Sequence, residues 1–133
     1  MIPAELSELI SKWIEEARRD DPASLTADGD ALLIYRDMGG TCFLRPDGTV
    51  LTEEHDSDEG PRVEANEGWR CAALVAGSRT RPELARLLPQ RPPDGRACPD
   101  CSGRGEIAIG TGRVGCGSCC GLGWRCPSVT LRL

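Results

Sequence analysis

The chain has 133 residues, enough for one domain or for one domain with a small satellite, and too few for a barrel enzyme or a doubly wound dinucleotide-binding fold. Hydrophobic residues make up 39% of the chain and aromatic residues only 4%, so we expect a small, mostly aliphatic core. No apolar run approaches the roughly 20 residues of a membrane span, and the first residues are not typical of a secretory signal. We therefore expect a cytoplasmic protein that does not contact membranes.

Charge is divided unevenly along the chain. Residues 1–70 carry 17 acidic and seven basic residues, a net charge of −10, whereas residues 71–133 carry four acidic and nine basic residues, a net charge of +5. Such asymmetry indicates a charged partner or the docking of one part on the other. The arginines of the second part are dispersed and no row of aromatic residues is available for base stacking, which argues against nucleic acid as the partner.

An amphipathic helix and three short strands are predicted in the acidic part. Apolar residues recur at intervals of three and four over residues 4–19, which predicts a helix with one buried face. Strands are predicted at residues 31–36, 41–45 and 49–52, and Pro46-Asp47-Gly48 supplies the turn between the last two. We therefore expect an α+β fold whose strands form a small antiparallel hairpin sheet.

Two further segments precede the cysteine-rich part of the chain. The sequence does not decide whether residues 69–76 form a helix or a strand, because their alanines favour a helix while their alternating apolar residues favour a strand. The sequence from Thr80 to Glu83 has the pattern of a capping box with proline in the first turn, which predicts a second helix that ends before Pro89.

A change of composition predicts the domain organisation. Residues 91–95 are rich in proline and predict a stiff, extended linker. We therefore place a boundary near residue 94, between an acidic α+β domain of residues 1–94 and a cysteine-rich module of residues 95–133. Alternating apolar residues at 128–133 predict a C-terminal strand.

Six of the eight cysteines lie between residues 98 and 126, and four of them form two C-x-x-C pairs. Two intervening residues let one tight turn direct both sulfur atoms at one ion, and a second such turn completes a tetrahedron with Zn–S bonds of about 2.3 Å. The spacing of the pairs is close to that of four-cysteine zinc sites, and residues 106–114 predict a hairpin between them. Four protein ligands leave no open position, which indicates a structural site. The predicted zinc ligands are Cys98, Cys101, Cys116 and Cys119, and iron is the alternative metal.

Both pairs continue with the same residues, which gives C-x-x-C-x-G-x-G at residues 98–105 and again at residues 116–123. Glycine permits the positive φ that turns backbone N–H groups toward thiolates. The repeat resembles the cysteine-rich zinc finger of the DnaJ-type co-chaperones. The resemblance covers about residues 98–124 and implies one zinc site in a module that contacts other proteins, including unfolded chains. It does not extend to a J-domain, because His55 is the only histidine and no His-Pro-Asp signature surrounds it.

The remaining cysteines leave one question open. Cys120 and Cys126 are alternate thiols that could replace Cys119 as a ligand, although only Cys119 keeps the two repeats in register. Cys42 and Cys71 lie in apolar segments, where we expect small buried side chains and not reactive thiols.

The most acidic stretch, residues 53–60, predicts a solvated loop. It does not match a calcium-binding loop, because Gly60 stands where a third ligand is required. Its carboxylates form a strong field that should attract a basic protein partner. The residues of this predicted partner surface are Glu53, Glu54, Asp56, Asp58 and Glu59.

Catalysis is not expected. A nucleophile would depend on His55 in the acidic loop, and the G-x-G-x-x-G pattern of residues 110–115 leaves no room for the helix of a dinucleotide site. The favoured function is a non-enzymatic zinc-binding protein-interaction module, chaperone-like or an adaptor. One alternative is a bacterial toxin-immunity or inhibitor protein that acts through its acidic half, and another is a thiol oxidoreductase or redox sensor. The sequence determines neither the partner nor the oligomeric state.

Overall fold

The structure is a computed structural model, and it describes residues 2–36, 40–54 and 63–125. It has helices and antiparallel sheets, which confirms the predicted α+β class. The chain divides into two compact units, Met1–Ala65 and Asn66–Leu133. Among the described residues, no helix combines the length and the apolar character that crossing a membrane requires.

The first unit begins with the predicted helix. Helix α1 spans Ala4–Asp20 and buries one stripe of side chains at three- and four-residue spacing. A proline at position 22 cannot continue the helix, and a 3-10 turn, Pro22–Ser24, follows α1 directly. The buried stripe of α1 consists of Leu6, Ile10, Ile14 and Ala17.

A four-stranded antiparallel sheet completes the first unit, with the strands in sequence order. Its strands are β1 (Leu32–Arg36), β2 (Gly40–Leu44), β3 (Val50–Glu54) and β4 (Val63–Glu64). The predicted turn joins β2 and β3, where Gly48 has a φ of 90° and Asp47 accepts a hydrogen bond from the Thr49 N–H at 2.9 Å. The fourth strand was not predicted, because it has only two residues and depends on its pairing with β3.

The core of the first unit is centred on β2, whose residues 41–44 are all buried. Cys42 is among them with 2% exposure, as expected for a small buried side chain. Phe43 clusters with Ala31 and Leu51. The unit therefore has the small, mostly aliphatic core that the composition predicts.

The second unit begins with helix α2, Glu67–Ser78, which resolves the ambiguity at residues 69–76 in favour of a helix. The side chain of Asn66 caps α2 by accepting the Trp69 N–H at 2.9 Å. Cys71 and Leu74 lie on the buried face of α2.

A second helix is present near its predicted position, but the prediction was wrong about the type of helix and about its cap. The segment is a 3-10 helix, Pro82–Leu87, that follows Arg81 without a side-chain cap. The Thr80 N–H donates to the Gly77 carbonyl of α2 at 3.2 Å, so it is not available to the Glu83 side chain that would complete a capping box. The predicted apolar face is present, since Leu84 and Leu87 are buried.

The proline-rich segment is a closed turn and not the predicted extended linker. The Gly95 N–H donates to the Pro92 carbonyl at 2.9 Å, and the Arg91 guanidinium donates to the Gly95 carbonyl at 3.1 and 3.2 Å. The limit between the compact units lies at residue 65, whereas the sequence places a boundary near residue 94. Helix α2 belongs with the cysteine repeats because its Val75 packs on Gly121 of the second repeat.

The cysteine-rich segment contains four short strands. They are β5 (Arg96–Ala97), β6 (Glu106–Ile109), β7 (Gly112–Gly115) and β8 (Trp124–Arg125). Strands β6 and β7 form the predicted hairpin, and β5 pairs with β8 to bring the two ends of the segment together. The predicted C-terminal strand at residues 128–133 lies outside the described residues.

Candidate metal centre

The structure brings the four predicted metal ligands together. The sulfur atoms of Cys98 and Cys116 lie 3.9 Å apart, and those of Cys101 and Cys119 lie 3.7 Å apart. All four sulfur atoms lie within 4.8 Å of one another, and all four residues are buried. Sulfur atoms at the corners of a tetrahedron with metal–sulfur bonds of about 2.3 Å are about 3.8 Å apart. The cluster therefore fits a tetrahedral metal ion such as zinc.

Each C-x-x-C-x-G-x-G repeat folds into the same turn. In the first repeat, the Gly103 N–H donates to the Cys98 carbonyl at 3.0 Å, and the Gly105 N–H donates to the Cys101 sulfur at 3.2 Å. In the second repeat, the corresponding bonds are Gly121 to Cys116 at 3.1 Å and Gly123 to Cys119 at 3.2 Å. Each turn thus directs a backbone donor at one sulfur, and such a bond is stronger when a metal holds the sulfur as a thiolate.

The two turns are also bonded to each other in a reciprocal manner. The Cys98 N–H donates to the Gly123 carbonyl, and the Cys116 N–H donates to the Gly105 carbonyl, both at 2.9 Å. The first cysteine of each repeat is therefore fixed by the last glycine of the other. The two repeats form one cluster and not two independent loops.

The last position of each repeat requires glycine for two reasons: its backbone φ is positive, and no room is left for a Cβ atom. Gly105 has a φ of 78° and Gly123 a φ of 84°, in the region that side chains rarely adopt. A Cβ on Gly105 would collide with the Gly121 carbonyl oxygen, and a Cβ on Gly123 would lie 2.7 Å from the Gly103 carbonyl oxygen. The backbones of the two repeats approach too closely for any side chain at these positions.

Cys120 is excluded from the four-sulfur cluster by its backbone. It follows the second C-x-x-C pair and has a φ of 54°, matching Ser102 in the first repeat with a φ of 55°. This left-handed residue directs the chain from the last ligand into the glycine turn. Within the described part of the chain, the sulfur cluster contains Cys119 and not Cys120. Cys126, the other alternate thiol, lies outside the described residues.

Helix α2 packs on the second repeat. A Cβ built on Gly121 would lie 3.3 Å from the side chain of Val75, which is on α2. One turn earlier, Cys71 is fully buried and donates to a Glu67 carboxylate oxygen at 3.6 Å. Burial, together with the charge of Glu67, raises the pKa of Cys71 to about 12, and burial likewise raises the pKa of Cys120. Neither thiol has the depressed pKa that a redox-active cysteine requires.

A polar bridge that the sequence does not predict joins the two C-x-x-C turns. Asp100 and Ser118 occupy the same position in their repeats, and the Ser118 hydroxyl donates to a carboxylate oxygen of Asp100. Arg125 donates to the same oxygen at 2.6 Å, and its side chain helps to lower the pKa of Cys98. The matching positions of Asp100 and Ser118 were the one signal in the sequence. The contribution of Arg125 depends on the pairing of β8 with β5.

Cys98 and Cys119 differ in acidity. Burial raises the pKa of Cys119 to about 12 against the opposing bond from the Gly123 N–H. Burial acts in the same direction on Cys98, but backbone bonds from Asp100 and Cys101 and the side chain of Arg125 together lower its pKa to about 7. A metal bound by thiolates must displace the remaining protons, so its affinity falls as the pH falls.

We expect Arg125→Gln to weaken metal binding by about tenfold to a hundredfold, because Arg125 lowers the pKa of the ligand Cys98 and groups that surround metal ligands typically contribute that much. Competition with a chromophoric chelator at pH 7.5 measures the affinity. Arg104→Gln is the matched control, since Arg104 is exposed and has no ion pair among the residues that the structure describes. Equal affinities for the two variants would show that the Arg125 guanidinium does not stabilise the bound thiolates.

The predicted acidic partner surface is only partly within the described structure. Glu53 lies in β3 opposite Thr41, and Glu54 is the last residue of that strand. Asp56, Asp58 and Glu59 lie outside the described residues. The attraction of a basic partner to this surface therefore stays a prediction.

Comparison with known proteins gives no match: no family model, no curated protein and no solved structure matches the chain.

Proposed function

We propose that the chain is a non-enzymatic zinc-binding protein-interaction module. The observation that carries this proposal is the group of four buried sulfur atoms within 4.8 Å of one another, in which the separations of 3.9 and 3.7 Å match those of a zinc–thiolate tetrahedron. Four cysteines complete the coordination of zinc and leave no position for a water molecule or a substrate. The ion then acts as a structural cross-link between the two repeats.

The resemblance to one zinc site of the DnaJ-type cysteine-rich region is part of this proposal. It is supported by the way both repeats use their glycines. Gly103 and Gly121 bond back to the first cysteine of each pair, and Gly105 and Gly123 bond the sulfur of the second. We extend the resemblance to function only in its general form, as contact with other polypeptides.

Metal analysis tests the metal part of the proposal. Protein purified without added metal should contain one equivalent of zinc, and cobalt substitution should give the intense visible bands of a tetrahedral thiolate site. Two equivalents, or the colour of an iron–thiolate centre, would contradict it, because a four-sulfur site also accepts iron.

Affinity capture with the zinc-loaded chain tests the interaction part. A general interaction module should retain several polypeptides, whereas an inhibitor that acts through its acidic half should retain one dominant basic partner. The matched control is the Cys119→Ala variant, which lacks one ligand. Identical capture by the two proteins would show that the metal centre does not support the interaction.

A further inference from the structure

Exposed apolar side chains are concentrated on one hairpin. Among the described residues, four large hydrophobic side chains are exposed, and three of them lie in β6 and β7. Ile107 is opposite Val114 in the ladder, and Ile109 lies two residues further along β6. Side chains opposite each other and two residues apart share a face of a sheet. Ile107, Ile109 and Val114 therefore form one apolar face, exposed by 38%, 62% and 47%.

The opposite face of the hairpin carries a free positive charge. Arg113 is opposite Ala108, is exposed, and has no ion pair within the described ranges. The only acidic residue of the hairpin, Glu106, is already paired with Arg79 at 3.2 Å. An incoming acidic side chain therefore has a cation to pair with beside β7, and no repulsion from an unpaired carboxylate of the hairpin.

The hairpin is a two-stranded sheet with open edges. Neither β6 nor β7 pairs with a further strand in the part of the chain that the structure describes. Such an edge presents unpaired N–H and C=O groups, which are a template for another strand. The base of the hairpin is held by the bond from the Cys116 N–H to the Gly105 carbonyl, which belongs to the metal centre. The metal centre thus holds the open edges of the hairpin in place before a partner binds.

We propose that the outer edge of β7 binds an extended segment of a partner protein in which apolar and acidic residues alternate. Successive side chains of an added strand point to opposite faces of the sheet. The apolar side chains of the segment would extend the face formed by Ile107, Ile109 and Val114, and its acidic side chains would pair with Arg113. This inference rests on the proposed function, because the metal centre holds the hairpin.

Titration of the zinc-loaded full chain with defined peptides tests this inference. The probe is a ten-residue peptide that alternates valine with glutamate, and amide chemical shifts are recorded by NMR. We expect shifts confined to residues 106–115. A peptide of the same composition, with the valines in one block and the glutamates in another, should bind at least tenfold more weakly. Equal binding of the two peptides would overturn the proposal.

Charge reversal provides the sharper test. Arg113→Glu should weaken binding of the glutamate peptide by about tenfold or more and should favour a peptide that alternates valine with lysine. Arg19→Glu on α1 is the matched control, since it changes the net charge equally and lies outside the hairpin. Ile109→Ser should weaken binding of both peptides. An Arg113→Glu variant with unchanged preference would overturn the pairing with β7.

Zinc content measured on the same samples separates the two proposals. A chain that holds one zinc but shows no hairpin shifts with the alternating peptide overturns this inference alone. A wild-type chain that holds no zinc overturns the proposed function. Hairpin shifts that depend on protein concentration in the absence of peptide would identify a second copy of the chain as the occupant and would also overturn the proposal.

Discussion

Removal of the metal is expected to unfold the cysteine-rich segment and to loosen α2, while the four-stranded unit Met1–Ala65 keeps its structure. A structural zinc site contributes about 10–16 kcal/mol to small folds at neutral pH. The hairpin cannot replace this contribution, because residues 107–115 of β6 and β7 are all exposed. Helix α2 is affected because Val75 packs on Gly121 of the second repeat.

Hydrogen exchange of backbone amides before and after chelation measures this effect. Protection should be lost over residues 96–125 and reduced in α2, and it should persist in β2 and β3. Loss of protection in all of these elements in one transition would contradict the separation into two units.

Two adjacent cysteines provide the matched genetic test. Cys119→Ala should abolish metal binding and reproduce the effect of chelation, since its sulfur is one of the four in the cluster. Cys120→Ala should retain one equivalent of metal and lose only the packing of a small side chain, because Cys120 is buried outside the cluster. The opposite result would make Cys120 the ligand.

Alanine in place of the last glycine of either repeat is expected to lower the free energy of unfolding by more than about 4 kcal/mol. Changes this large occur only when a mutation has a specific structural cause. For Gly105 and Gly123 the cause is a collision between the new Cβ and the backbone of the other repeat, which no side-chain movement relieves. Positive φ adds about 1–2 kcal/mol at each position. Metal affinity and thermal unfolding of Gly105→Ala and Gly123→Ala measure the loss.

Two other glycines separate these causes. Gly110 has a φ of 59° but nothing within 4 Å of an added Cβ, so Gly110→Ala should show only the cost of positive φ, about 1–2 kcal/mol. Gly115 has neither a positive φ nor a close neighbour, so Gly115→Ala should change stability little. If all four variants lose the same stability, the close approach of the two repeats is not what requires glycine.

Local patterns were sufficient for several parts of this protein. The periodicity of residues 4–19 predicts α1, because the residues of one helical face recur within a turn. The repeat C-x-x-C-x-G-x-G predicts the four cysteines that the structure brings together. Each of its turns is closed by hydrogen bonds within eight residues, from Cys98 to Gly105 and from Cys116 to Gly123.

Other parts were decided by contacts between distant residues. The sequence of residues 69–76 fits a helix and a strand equally, and the helix is observed together with its Asn66 cap and its packing on Gly121. Thr80 has the sequence of a helix cap, but its N–H is taken by Gly77 of the preceding helix. Strand β4 exists only as a partner of β3.

The metal centre also combines features set by local sequence with features set by contacts between distant residues. The ligands follow from spacing, because a C-x-x-C turn places both of its sulfur atoms by local geometry. The bridge from Asp100 to Ser118 and Arg125 joins residues 18 and 25 positions apart. The sequence alone therefore predicted the two C-x-x-C turns, since each spans only a few residues, whereas the structure decided that Cys119 and not Cys120 completes the cluster. Only the tertiary structure decided which charges surround them, because the pairing of β8 with β5 brings Arg125 to Asp100.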